Sequence, residues 1–181
     1  MENVSVQDSG EIQFEWFRIN GLLKSVSVHR GVAWGVNSNN QLYRQDVDVL
    51  RNGGGWVQMD NDFGISQVEI GELGVFAIAQ LGTRNMDYLI YYRVGTRNNP
   101  GSPGTRWQQL PGWASHITVG LQNVYSVSAQ AGGQNLAWQM RPNTFNEQTG
   151  EFEPSGPSVS GSWERIWERW GDKTGNNISA L

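Results

Sequence analysis

Residues 26–46 read VSVHRGVAWGVNSNNQLYRQD, and this stretch decides the fold. Val26 and Val28 flank a serine; His29-Arg30-Gly31 breaks the run; Val32, Trp34 and Val36 resume the alternation. A second break, Asn37-Ser38-Asn39-Asn40, precedes Leu42-Tyr43-Arg44. Apolar residues with a period of two, in short runs separated by Gly and Asn, are the mark of antiparallel strands. Gly and Asn serve as punctuation because both tolerate left-handed backbone. The same period recurs at Val68 and Ile70, at Val75-Phe76-Ala77-Ile78, at Ile117 and Val119, and at Val124, Ser126 and Ser128. Between these runs lie RNGGG (51–55) and GTRNNPGSPGT (95–105), both read as loops. PNTFNEQTGEFEPSGPSVSGS (142–162) reads as a long surface loop. Sustained helical periodicity is nearly absent. In residues 163–170, Trp163, Ile166, Trp167 and Trp170 have helix spacing with Ser162 as a cap. A strand there would instead group Trp163 and Trp167 with Arg165 and Arg169, and both readings stay open.

The chain also repeats itself. WFRINGLLKSVSVHRGVAWGV (16–36) lies over WQQLPGWASHITVGLQNVYSV (107–127). Gly21 and Gly112 follow their tryptophans at the same distance, as do Val26 and Ile117. Trp56 heads a third copy, closing on Ile90-Tyr91-Tyr92-Arg93, and Trp163 heads a poorer fourth. Val4-Ser5-Val6 and Ile12 at one end, and Ile178-Ser179-Ala180 at the other, echo the same pattern. Repeats starting near 16, 56, 107 and 163, the last completed by residues 1–13, make 1–181 a single repeat domain. A unit of about 40–45 residues with three or four short strands reads as a propeller blade. Blades bury their faces only against neighbours, so the repeats form one cooperative unit. The expected fold is all-β: a small β-propeller of about four repeats, its ring closed by pairing of the chain termini or by oligomerisation.

These residues resemble the tectonin repeat, roughly W-x-x-[IL]-x-G-x-L-x-x-[IV]-S-V-G, then V-W-G-V-N, then [IL]-Y-x-R. The first copy carries Trp16, Gly21, Leu22, Val26, Ser27, Val28, Trp34, Gly35, Val36, Asn37, Leu42, Tyr43 and Arg44. WQQLPGWASHITVG (107–120) is a second good match. The resemblance implies a β-propeller. Members include lectins that bind surface glycans of microbes or nematodes in innate defence; others are intracellular adaptors. The familiar lectins have five or six repeats, more than this chain holds.

Composition removes several functions. The net charge of −4 gives no nucleic-acid footprint. With no cysteine there is no disulfide, thiolate nucleophile or Cys-based zinc site. No run approaches the roughly 18 apolar residues of a membrane span, so no membrane insertion is expected. The N-terminal Met1-Glu2-Asn3-Val4 has neither a basic region nor an apolar one. A cytoplasmic protein is expected, or a secreted one if the sequence is a mature form. His29 and His116, the two histidines, occupy different repeat positions, and the usual hydrolase, phosphate-loop and zinc-protease motifs are missing. Glu147, Glu151 and Glu153 read as solvating the long loop rather than as a glycosidase pair. Asp60-Asn61-Asp62-Phe63-Gly64 is a turn that lacks the rest of a calcium loop. No enzymatic activity, cofactor or metal is expected.

Sugar recognition needs aromatic faces and planar amide or guanidinium groups. One hairpin holds all of these in Trp34, Asn37, Asn39, Tyr43 and Arg44. Tyr92 and Arg93 are taken as the counterparts in the second repeat, and Trp138 with Arg141 in the third. Trp34 alternates with Val36, which also fits a core position. The expected function is multivalent, metal-free binding of glycans on microbial or cell surfaces, with homo-oligomers as a route to avidity. The alternative is an intracellular adaptor for a protein or lipid.

Overall fold

The structure, a computed structural model, describes residues 2–6, 12–80, 88–129, 135–140, 145–153 and 167–174. Strands β1 (Glu2–Val6) and β2 (Ile12–Trp16) form a hairpin. The first full sheet follows: β3 (Leu23–His29), β4 (Val32–Asn37), β5 (Leu42–Asp46) and, after helix α1 (Val47–Arg51), β6 (Val57–Gln58). The second comprises β7 (Ile65–Gly71), β8 (Gly74–Gln80), β9 (Tyr88–Arg93) and β10 (Trp107–Trp113). The third comprises β11 (His116–Val119), β12 (Val124–Ala129), β13 (Asn135–Met140) and β16 (Trp167–Thr174). Between β13 and β16 lies a small hairpin, β14 (Phe145–Asn146) with β15 (Glu151–Phe152). The chain is all-β, built of antiparallel four-stranded sheets in a propeller-like arrangement.

Turn chemistry sets each hairpin. His29 pairs with Val32 across Arg30 and Gly31, both at positive φ (47° and 76°). That is the two-residue turn whose twist matches the strands it joins. Trp34, Val36 and Leu42 of the first sheet pack against Val68, Ile70, Val75 and Ala77 of the second. Phe76, Ile78, Ile90 and Tyr92, on the opposite face of the second sheet, pack on Ile117, Val124, Trp138 and Met140 of the third. Each large side chain removed from water in these layers contributes about 1.5–3 kcal/mol.

The edges of the inner strands are closed by side chains. Ser25 Oγ accepts from Val68 N (3.3 Å), and Ser27 Oγ accepts from Ile70 N (3.2 Å). Gln67 Nε2 donates to Ile117 O (2.9 Å), tying β7 to β11. These bonds occupy groups that an unpaired strand edge would leave open.

The tryptophan frame is offset from the sheets by one strand. The segment that begins at Trp107 pairs with β9 as the outer strand of the second sheet, and Val57–Gln58, just after Trp56, pairs with β5. Each tryptophan segment therefore finishes one sheet before the next begins. Trp163 lies outside the described residues. Trp167, opposite Met140 across the β13–β16 ladder, holds the place of Trp56 and Trp107 by register. Residues 167–174 are strand: the ladder to β13 prevails over the helical stripe. The long loop is also more than surface. Phe152 is buried and Phe145 packs beside it in the core with Tyr92 and Phe76. Glu151 and Glu147 pair with Arg106 and Arg97.

One flank of the first sheet is open. By register, Val26 and Val28 correspond to Val68 and Ile70 in the second sheet and to Ile117 and Val119 in the third. Val68 and Ile70 are 0% and 4% exposed beneath the first sheet, whereas Val26 and Val28 are 56% and 50% exposed. The chemistry of a covered face is present on the first sheet without its cover among the described residues.

Candidate functional site

Most of the aromatic candidates are core. Trp34 is fully buried and donates from Nε1 to Pro100 O (3.0 Å), holding the loop between β9 and β10. Arg44 donates to Gly101 O in the same loop. Tyr92 is fully buried, and burial raises its pKa. Arg93 is buried, donates from Nε to Pro103 O (2.9 Å) and lies 5.2 Å from the Trp107 ring centroid. Trp138 is buried between the second and third sheets. Trp34, Tyr92 and Trp138 thus have no ring face available to a ligand, because inter-sheet packing claims both faces. Arg141 lies outside the described residues.

Asn37, Asn39 and Tyr43 belong to a different environment. Asn37 Oδ1 accepts from the backbone N–H groups of Asn39 (3.0 Å) and Gln41 (2.9 Å), which shapes the β4–β5 turn. Its Nδ2 donates to Gln41 Oε1 (2.8 Å) and Tyr43 OH (3.3 Å). Asn40, at φ 63°, completes the turn in the left-handed region that Asn tolerates. Asn39 is exposed at its tip. The loop amides noted in the sequence are thus partly structural: they hold the Tyr43 hydroxyl in place.

Beside that hydroxyl is a groove of about 410 Å³, lined by Gly21, Leu22, Leu23, Asn37, Ser38, Tyr43 and Trp56. Its walls are Tyr43 and Trp56. Trp56 is anchored by a bond from Nε1 to Asn20 O (3.0 Å). Gly21, at φ 128°, lies so close that a Cβ there would sit 2.9 Å from Trp56 Nε1. Any larger residue would push the indole out of place, which accounts for glycine at this position. In the sequence Trp56 marks only a repeat start, and its role as a groove wall emerges from the fold. The signal was its equivalence to Trp107.

Register explains why the groove is open. Gly35 pairs with Tyr43 and Ala77 with Tyr91, so Tyr91 is the counterpart of Tyr43. This corrects the assignment of Tyr92 to that place by one residue. Trp138, opposite Ser126, does hold the corresponding position in the third sheet. In the second sheet, Phe63 fills the space between the equivalent aromatics. Its ring stacks on Tyr91 at 4.1 Å and meets Trp107 edge-on at 6.0 Å. Counting back from the paired strand starts Leu23 and Ile65, the residue in place of Phe63 is Gly21. The first sheet has the two aromatic walls without the third ring.

No curated protein matches the chain. Residues 1–84, which run from the β1–β2 hairpin through the first sheet to β8, match the family model of the tectonin domain. Through that stretch, just under half of its length, the chain is similar to the tectonin family.

Proposed function

We propose that this chain is a non-enzymatic carbohydrate-binding protein that recognises surface glycans in defence, and that the groove between Tyr43 and Trp56 holds the sugar. The observation that carries the reading is Phe63. A six-membered ring fits between Tyr91 and Trp107 in the second sheet, and the same walls stand unfilled in the first. A pyranose has similar breadth, and its C–H face packs on an aromatic ring as the Phe63 edge does. Asn37, Ser38 and the Tyr43 hydroxyl border the groove and supply donors and acceptors for sugar hydroxyls. Such contacts require neither metal nor cofactor.

The groove at Tyr43 and Trp56 gives one site, and association of chains is the route to multivalence. Two or more linked sites raise avidity by roughly 10²–10⁴-fold. The Val26–Val28 flank supports completion of the ring by a further blade, formed by the chain termini or by a second copy. Light scattering separates these: a monomer supports closure by the termini, and a dimer supports a second copy.

The test is a titration of intrinsic tryptophan fluorescence with simple and O-methylated sugars, with and without chelator. The expected result is a saturable, chelator-insensitive change that disappears in Trp56→Ala. Silence across the panel on folded protein overturns the reading. The exposed Val26 and Val28 favour the second reading, an adaptor for a protein partner. Capture of a partner that free sugar does not compete supports it.

A further inference from the structure

A second cleft, of about 510 Å³, opens where the three inner strands begin. It is lined by Lys24, Ser25 and Val26 of the first sheet, Ser66, Gln67 and Glu69 of the second, and Ser115 and His116 beside the third. These are not scattered positions. From the paired residues Val26, Val68 and Ile117, Lys24 corresponds to Ser66 and Ser115, and Ser25 to Gln67 and His116. The same two register positions of each sheet therefore face one space, as expected for the mouth of a propeller axis. Among the described residues the cleft shares none with the aromatic groove.

Its chemistry is polar and balanced. Glu69 is held by Ser27 Oγ (3.1 Å) and by Gln67 Nε2 (3.1 Å). Gln67 is itself fixed through both ends of its amide to Ile117 (2.9 and 3.4 Å). Lys24 reaches Asn40 Oδ1. Burial lowers the pKa of His116, which favours the neutral imidazole with its one donor and one acceptor. An anion entering meets Glu69 and a cation meets Lys24. A ligand whose groups both donate and accept can satisfy the serine hydroxyls, the imidazole, the ammonium and the carboxylate together. The volume falls within the roughly 300–1,000 Å³ of small-molecule sites.

We propose that this axial cleft binds a neutral polyhydroxylated small molecule, a linear or cyclic polyol, edge-on through Lys24, Glu69, Ser66, Ser115 and His116. Among the described residues no aromatic ring lines the cleft, so recognition is by hydrogen bonds without stacking. The site stands independently of the groove at Trp56.

The chain has two histidines, His29 and His116, at opposite ends of the inner strands, so their ring resonances give separate probes. The full chain is titrated with xylitol, myo-inositol and methyl α-glucopyranoside while both imidazoles are followed by NMR. At least one probe should move the His116 resonances saturably and leave His29 still. Lys24→Met should weaken that binding roughly tenfold or more, since a charge-assisted bond is lost, without lowering the melting temperature. Trp56→Ala should leave it unchanged, whatever it does to the groove. Absence of a His116 shift with all three compounds overturns the proposal. So does full affinity in Lys24→Met, or loss of the shift in Trp56→Ala, which would put the ligand in the groove.

Discussion

Phe63 stacks on Tyr91 with ring centroids 4.1 Å apart and planes 24° from parallel, while Gly21 takes the corresponding place before Tyr43. One repeat thus carries a plug that the other lacks. Phe63→Ala should open a second groove between Tyr91 and Trp107. A buried Phe→Ala change costs about 3–5 kcal/mol, and Phe63 is only half-buried, so about 2–3 kcal/mol is expected. Urea unfolding measures that loss. Calorimetry with the sugar found for the first groove should show a stoichiometry rising from one site towards two.

Trp56 and Trp34 make opposite predictions although both are tryptophans of the first sheet's segment. Trp56→Ala should weaken sugar binding at least about tenfold, because stacking and apolar burial are lost together. Tyr43→Phe should cost about 1 kcal/mol of binding, one hydrogen bond, and leave the groove shape intact. Trp34→Ala should instead lower stability by about 3–5 kcal/mol, with the folded fraction still binding. Urea midpoints and sugar titrations on the three variants separate the two roles.

The alternation around Trp34 made the strands and the all-β class legible. What the repeat could not reveal was which aromatic faces water. Trp34 and Trp56 both head apolar patterns, and their burial depends on residues distant in sequence: Pro100 in the β9–β10 loop over one, Gly21 in place of Phe63 beside the other. The offset of the tryptophan frame was hidden for a related reason. Sequence periodicity marks where a segment starts, and hydrogen bonding decides which sheet it joins. The stripe from Trp163 to Trp170 shows the same limit. A helix of two turns is marginal alone, and the ladder offered by β13 prevails over it in residues 167–170.

The open flank gives a matched pair of substitutions. Val68→Ala removes two methyl groups from a fully buried site and should cost about 2–3 kcal/mol. Val26→Ala, at the equivalent position, should cost within about 0.5 kcal/mol in a monomer. If a second copy covers the flank, Val26→Lys should abolish the dimer in light scattering while the monomer keeps its melting temperature. If the chain's own termini cover it, Val26→Lys should lower the melting temperature at every protein concentration. Equal losses for Val26→Ala and Val68→Ala in dilute solution would likewise mean that the flank is covered within one chain.

Glu69 gives the axial cleft a pH signature. Burial raises its pKa above the usual 4.5, while the smaller contributions of Gln67 and Ser27 act to lower it. The folded chain therefore keeps this proton to a higher pH than the unfolded chain does. Stability falls as pH rises from the ordinary carboxylate value through the raised one, since the native state binds more protons over that interval. Glu69→Gln abolishes the titration, and every other group titrates in both proteins. The melting temperature of Glu69→Gln minus that of the parent should therefore increase from about pH 4 towards neutrality, then level off. Its absolute sign is free, because the amide loses one of the carboxylate's two acceptors and with it a bond to Ser27 or Gln67. Melting curves that run parallel across the interval would mean that Glu69 is well hydrated. A hydrated Glu69 would remove the partly desolvated carboxylate from the lining of the cleft.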